Sequence, residues 1–132
     1  MLKPVLFAAA SLALIAPATA QNGQRSERVQ FARGTSSKTI TGAIKGDAGV
    51  RYLVGARAGQ KLTVTYKPSN ASSYFNVTAP GADAAMFIGS TSGNSYTTTI
   101  PSTGDYAIDV YLMRNAARRN ETAKYTLTVS VR

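Results

Sequence analysis

The sequence predicts an all-β protein, an antiparallel β-sandwich of seven to eight short strands, and three observations predict it. From Val29 onward, apolar residues alternate with polar ones, as Leu62, Val64 and Tyr66 do against Lys61, Thr63 and Thr65. A period of two is the mark of a strand with one face in a core and the other in water. Turn chemistry built on Gly, Pro, Asn, Asp and Ser interrupts this pattern every eight to twelve residues or so. No segment after the amino terminus carries the 3.6-residue period of an amphipathic helix. The roughly 112 residues from Gln21 to Arg132 suffice for one core. A closed barrel would meet the same pattern.

The amino end reads as a secretory signal peptide over residues 1–20. Lys3 supplies the basic head, Val5 to Ala16 an apolar run, and Ala18-Thr19-Ala20 the small residues at a cleavage site. That run is too short for a membrane-spanning helix of about 20 residues. Residues 21–28, Gln-Asn-Gly-Gln-Arg-Ser-Glu-Arg, are polar without a period and are expected to form a flexible lead-in. The folded domain is then residues 29–132.

Val29 and Phe31 define a short first strand, and Arg33 to Ser37 turn the chain into a second over Thr39 to Ile44, with Ile40 and Ile44 inward. Lys45-Gly46-Asp47-Ala48-Gly49 is a turn whose glycines are free to take positive φ. It leads into Val50 to Ala56. Arg57 to Gln60 turn the chain into Lys61 to Tyr66, and Pro68 to Ser73 separate that strand from Tyr74 to Thr78. Met86 to Ile88 are a brief apolar piece, and Tyr96 to Ile100 are β-branched almost throughout. Tyr106, Ile108, Val110 and Leu112 share a face, as do Tyr125, Leu127, Val129 and Val131. These two strands are expected to be antiparallel neighbours or partners in facing sheets. The tyrosines are spread over the strands rather than clustered and are expected as half-buried core residues.

Composition narrows the chemistry. The chain has no cysteine and no histidine, so thiol chemistry, thiolate zinc sites and Ser-His arrangements are excluded. Its few carboxylates, Asp47, Asp83, Asp105, Asp109 and Glu121 among them, are scattered, with no acid/base or calcium spacing. No catalytic residue, metal or cofactor is expected, and the protein is not expected to be an enzyme. Without Lys3, 14 basic side chains stand against 6 acidic ones, giving residues 21–132 a formal charge of +8. That favours an acidic partner. Export argues against nucleic acid, and no second apolar run suggests membrane insertion.

Between the last two strands lies Met113 to Ala123, with three arginines. Eleven residues exceed the two to five or so of a tight hairpin, so the stretch is either a functional loop or an irregular solvent-facing bulge. Ala116 and Ala117 allow a short helical turn that puts Arg114 and Arg118 four apart on one face. Like charges so placed repel unless an anion lies between them.

Several stretches resemble one family in order and spacing. They are Val29 to Gly34 followed by Ser36-Ser37, Gly42 to Gly46, Ala58 to Val64, Pro101 to Val110, and above all Arg114-Asn115-x-x-Arg118-Arg119-Asn120-x-Thr122-x-Lys124-Tyr125. The family is that of the periplasmic inhibitors of g-type (goose-type) lysozyme, and the resemblance covers essentially residues 29–132. It implies a small β-sandwich, a periplasmic location and a g-type lysozyme as protein partner. In the family the two loop arginines enter the enzyme's substrate cleft, which maps that role onto Arg114 and Arg118. Asn115, Arg119, Gly46 and Asp47 would then form the rim. Where family members can carry an aromatic residue after the glycine of the Lys-Gly turn, this chain has Asp47. Gly59-Gln60 and Gly104-Asp105-Tyr106 also resemble the pre-peptidase C-terminal sandwich domains. That alternative implies a module binding anionic cell-wall or surface polysaccharide.

Overall fold

The computed structural model describes residues 24–132. The expected signal peptide and residues 21–23 of the expected lead-in lie outside them. Nine strands and two short helices follow in the order β1 (Arg25–Arg28), β2 (Ser37–Lys45), β3 (Val50–Ala56), β4 (Lys61–Pro68), β5 (Ser73–Thr78), β6 (Phe87–Ile88), α1 (Gly89–Ser92), β7 (Ser95–Thr99), β8 (Gly104–Leu112), α2 (Arg114–Arg118) and β9 (Thr122–Val131). They form a sandwich rather than a closed barrel. One sheet runs β1-β3-β8-β5-β6 and the other β2-β9-β4-β7. All pairings are antiparallel except β1 with β3.

Alternation sets which face each strand buries. In β9, Ala123, Tyr125, Leu127, Val129 and Val131 are buried, and in β3 Val50, Tyr52, Val54 and Ala56 are. Facing rows such as these close the core from both sheets. Ile44 is buried and Ile40 packs partly against the core, as their spacing predicts. Two hydroxyl–hydroxyl hydrogen bonds bridge the layers. Tyr52 of β3 meets Tyr125 of β9 at 2.6 Å, and Tyr66 of β4 meets Ser73 of β5 at 2.5 Å. Tyr106 instead donates to the Ser102 carbonyl at 2.6 Å, tying the start of β8 to its preceding turn. A buried tyrosine is tolerated when its hydroxyl finds such a partner.

Two expectations are corrected. The first strand is Arg25–Arg28 and not Val29 to Ala32, so part of the segment read as a flexible lead-in is paired with β3. All four of its side chains are exposed, so it has no hydrophobic period to reveal it. Main-chain pairing and the Arg28–Asp105 ion pair at 2.7 Å hold it at the sheet edge. Val29 is buried as expected, and its N–H donates to the Leu53 carbonyl at 2.8 Å just past the strand's end. The second correction is the strand number, nine among the described residues. Of the two arrangements open for the last strands, the structure adopts facing sheets: β8 is central in one and β9 in the other.

Charge is divided between the layers. The six charged residues of the five-stranded sheet are all ion-paired, as Arg25–Glu27, Arg28–Asp105 and Arg51–Asp109. The four-stranded sheet carries five lysines and no carboxylate.

Candidate functional site

The segment from Met113 to Glu121 carries the chain from one sheet to the other. Met113 leaves β8 in an extended conformation, and Arg114–Arg118 make just over one helical turn. Ala116 and Ala117 suit a helix, and Ala116 is fully buried, which pins one side of α2 to the sandwich. No side chain caps its start in the usual way, although the Asn115 side-chain oxygen accepts the Ala116 N–H at 2.8 Å.

The carboxyl end is closed more firmly. Asn120 takes φ of 58°, its N–H donates to the Ala117 carbonyl at 2.9 Å, and the Glu121 N–H donates to the Ala116 carbonyl at 3.2 Å. That pair of bonds around a left-handed residue is the Schellman arrangement, with asparagine where glycine is commonest. It fixes the angle at which β9 leaves.

With Ala116 inward, Arg114 and Arg118 are exposed, four residues apart. Both line one open groove of about 730 Å³ together with Asp47, Tyr111, Leu112, Met113 and Ala117. Among the described residues the ion pairs are the three of the five-stranded sheet and Arg119–Glu121, so neither Arg114 nor Arg118 is held by a carboxylate. Arg119 differs from them. Its Nε lies 2.7 Å from a Glu121 oxygen, although its side chain stays 59% exposed. Asn70 donates to the other Glu121 oxygen at 3.0 Å. These two hydrogen bonds, Asn70 first, hold the Glu121 carboxyl below the usual carboxylate range.

The turn after β2 docks onto this corner. Gly46 has φ of 61° and its N–H donates to the Glu121 carbonyl at 2.9 Å. Its positive φ favours glycine, and a Cβ placed there would lie 2.6 Å from the Asn120 side-chain oxygen and displace that amide. Asp47 follows, exposed, on the wall of the arginine groove. The six residues singled out from the sequence therefore gather at one end of the sandwich. Arg114, Arg118 and Asp47 share the groove, Gly46 and Arg119 are both tied to Glu121 beside it, and Asn115 sits exposed in α2.

Sequence reasoning passed over Tyr111 and Met113. Met113, 38% exposed, is one of only two exposed large hydrophobic residues among those described. Its signal was present: Tyr106, Ile108, Val110 and Leu112 keep the buried phase of β8, so an apolar residue at 113 is out of step. The groove thus offers two guanidinium forks beside a thioether and a phenol ring. Guanidinium pairs with carboxylates bidentately, and Met and Tyr are enriched at protein interfaces.

No family model matches the chain. A curated relative, the inhibitor of g-type lysozyme of Escherichia coli (strain K12), is 29% identical over 136 residues, covering 99% of this chain and 98% of the relative. Among solved structures, Aeromonas hydrophila PliG, described as a periplasmic lysozyme inhibitor of g-type lysozyme, superposes with a TM-score of 0.74 at 36% identity, over 83% of this chain and 97% of that one. PliG from Salmonella Typhimurium, described in the same words, gives a TM-score of 0.64 at 28% identity, over 81% of this chain and 97% of that one. With the sandwich, the interlocked arginine corner and these likenesses together, the chain belongs to the family of periplasmic inhibitors of g-type lysozyme.

Proposed function

We propose that this protein is a periplasmic inhibitor of g-type lysozyme that works by occlusion, with Arg114 and Arg118 inserted into the enzyme's substrate cleft. A lysozyme cleft holds catalytic and accessory carboxyl groups in a partly desolvated groove. Filling it with guanidinium groups excludes sugar and pairs those acids at once. The observation that carries this reading is the pair of exposed arginines on α2 that lack an internal carboxylate partner. Arg114 and Arg118 need break no internal ion pair to engage an external one. Asn115, Arg119, Gly46 and Asp47 are the proposed rim, with Gly46 and Arg119 acting through the corner they brace. Asp47 opposes an acidic cleft and lowers affinity.

The test is inhibition of g-type lysozyme turnover on cell walls. The processed chain is expected to suppress it at micromolar concentration or below, and undiminished turnover overturns the proposal. Arg114→Ala and Arg118→Ala are each expected to cost about 2 kcal/mol or more, roughly a 30-fold rise in inhibition constant. The melting temperature should hardly move, because neither side chain makes an internal polar contact among the described residues. A parallel fall in stability would make the arginines structural and remove them from the interface.

A further inference from the structure

The four-stranded sheet has an outer face unlike any other surface of the molecule. Lys45, Lys61, Lys67 and Lys124 point outward from it by strand alternation, and it bears no carboxylate. Between the lysines lie hydroxyls. The register sets Ser37, Ser130, Thr63 and Thr97 side by side across β2, β9, β4 and β7. A second row, two residues along each strand, begins with Thr39 and Thr128. With strands about 4.8 Å apart, each row spans roughly 15 Å of oxygen atoms able to donate and accept.

Toward the α2 end this plane gives way to an open groove of about 600 Å³, and Lys67 and Lys124 both line it with Thr41, Ser69 and Thr126. Neither lysine is ion-paired among the described residues. Two ammonium groups flanking a groove without a carboxylate repel each other until an anion comes between them. The exposed large hydrophobic residues, Ile88 and Met113, both lie elsewhere, so the face has nothing to sink into lipid. Hydroxyl rows match a partner that is itself rich in hydroxyls.

We propose that this face binds an acidic polysaccharide, a carboxylate-bearing glycan strand that lies along the hydroxyl rows and seats its carboxylates at Lys67 and Lys124. The surface is distinct from the arginine groove, so a chain held on polymer keeps Arg114 and Arg118 free. The proposal goes beyond inhibition and does not depend on it.

Co-sedimentation of the processed chain with covalently crosslinked alginate, a glycan that bears a carboxylate on every sugar, tests it. Binding is expected at low salt, and amidation of the polymer's carboxyl groups should abolish it. A lysine beside an anionic surface contributes about fivefold, so Lys67→Gln/Lys124→Gln should bind roughly 25-fold more weakly. Lys38→Gln loses the same charge from the same sheet, but its register partner Val129 faces the core, so it lies off this face and should leave binding within about twofold. Arg114→Ala/Arg118→Ala should lose lysozyme inhibition and keep polymer binding, which separates the two proposals. Equal losses from Lys38→Gln and Lys67→Gln would reduce the effect to net charge and overturn the site. Binding that survives amidation, or that vesicles containing phosphatidylglycerol reproduce with the same lysine dependence, would also overturn it.

Discussion

At the scale of single residues, the sandwich is stitched by tyrosine hydroxyls, and their chemistry sets two outcomes. Tyr52 and Tyr125 reach each other from opposite sheets at 2.6 Å. Removing one hydroxyl leaves the other buried without that partner, so Tyr52→Phe should cost about 1–2 kcal/mol. Tyr52→Phe/Tyr125→Phe removes both polar groups and should cost less than the two single changes added, which urea denaturation of the four proteins would show. Strict additivity would mean the pair is not coupled. The same burial governs alkaline stability. Desolvation, partly opposed by the bond to Ser73, pushes the Tyr66 phenol up to about 12. Desolvation first, and then the bond to Tyr125, drives Tyr52 upward as well. Unfolded tyrosines ionise near 10, so the folded state holds the proton more tightly. The associated stability is complete below about pH 10 and is lost as pH rises through about 12. Denaturation midpoints should therefore begin to fall above about pH 10, and a midpoint still level at about pH 11 would contradict the assignment.

At the scale of elements, the arginine corner depends on its closure more than on the helix itself, because a single turn is not stable alone. Asn120 supplies that closure at φ of 58°. Asn120→Ala should destabilise the protein by about 1 kcal/mol, whereas Asn120→Gly, which accepts the same conformation freely, should be nearly neutral. Thermal melts check the first comparison, and inhibition assays should show Asn120→Ala weakened further than its melt alone explains. If alanine and glycine behave alike, the left-handed closure does not hold the corner. The helical turn was legible beforehand because Arg114 and Arg118 flank two alanines at helical spacing. The strand β1 was not, since Arg25-Ser26-Glu27-Arg28 buries no side chain and owes its order to main-chain pairing and to the partner Asp105, 77 residues away. Alternation in β8 and β9 likewise reports which face is buried and is silent on which strand lies alongside. Their separation into two sheets follows from α2 crossing between the layers. Arg118 and Arg119 look equivalent in the sequence, and only the fold brings Glu121 back onto Arg119.

At the scale of the whole molecule, the carboxylates are concentrated away from the four-stranded sheet, so the surplus charge is presented directionally. With 14 basic and 6 acidic side chains in residues 21–132, and four of the acids consumed in ion pairs, the molecule would approach the proposed acidic cleft under long-range attraction. Such attraction acts on encounter, since it extends over a Debye length of about 10 Å at 0.1 M salt and is screened beyond that. The close pairs proposed for Arg114 and Arg118 in a desolvated cleft would be screened far less and would act on dissociation. Association with g-type lysozyme should accordingly slow by about tenfold or more on going from low to high salt, while the dissociation rate changes little. Lys61→Gln, at the far end of its sheet from α2, should lower the association rate slightly and leave dissociation alone, whereas Arg114→Ala should mainly speed dissociation. Surface-plasmon measurements of both rates across salt would separate these roles. If Lys61→Gln speeds dissociation as much as Arg114→Ala does, the lysine touches the enzyme, and the contact surface extends well beyond the arginine corner.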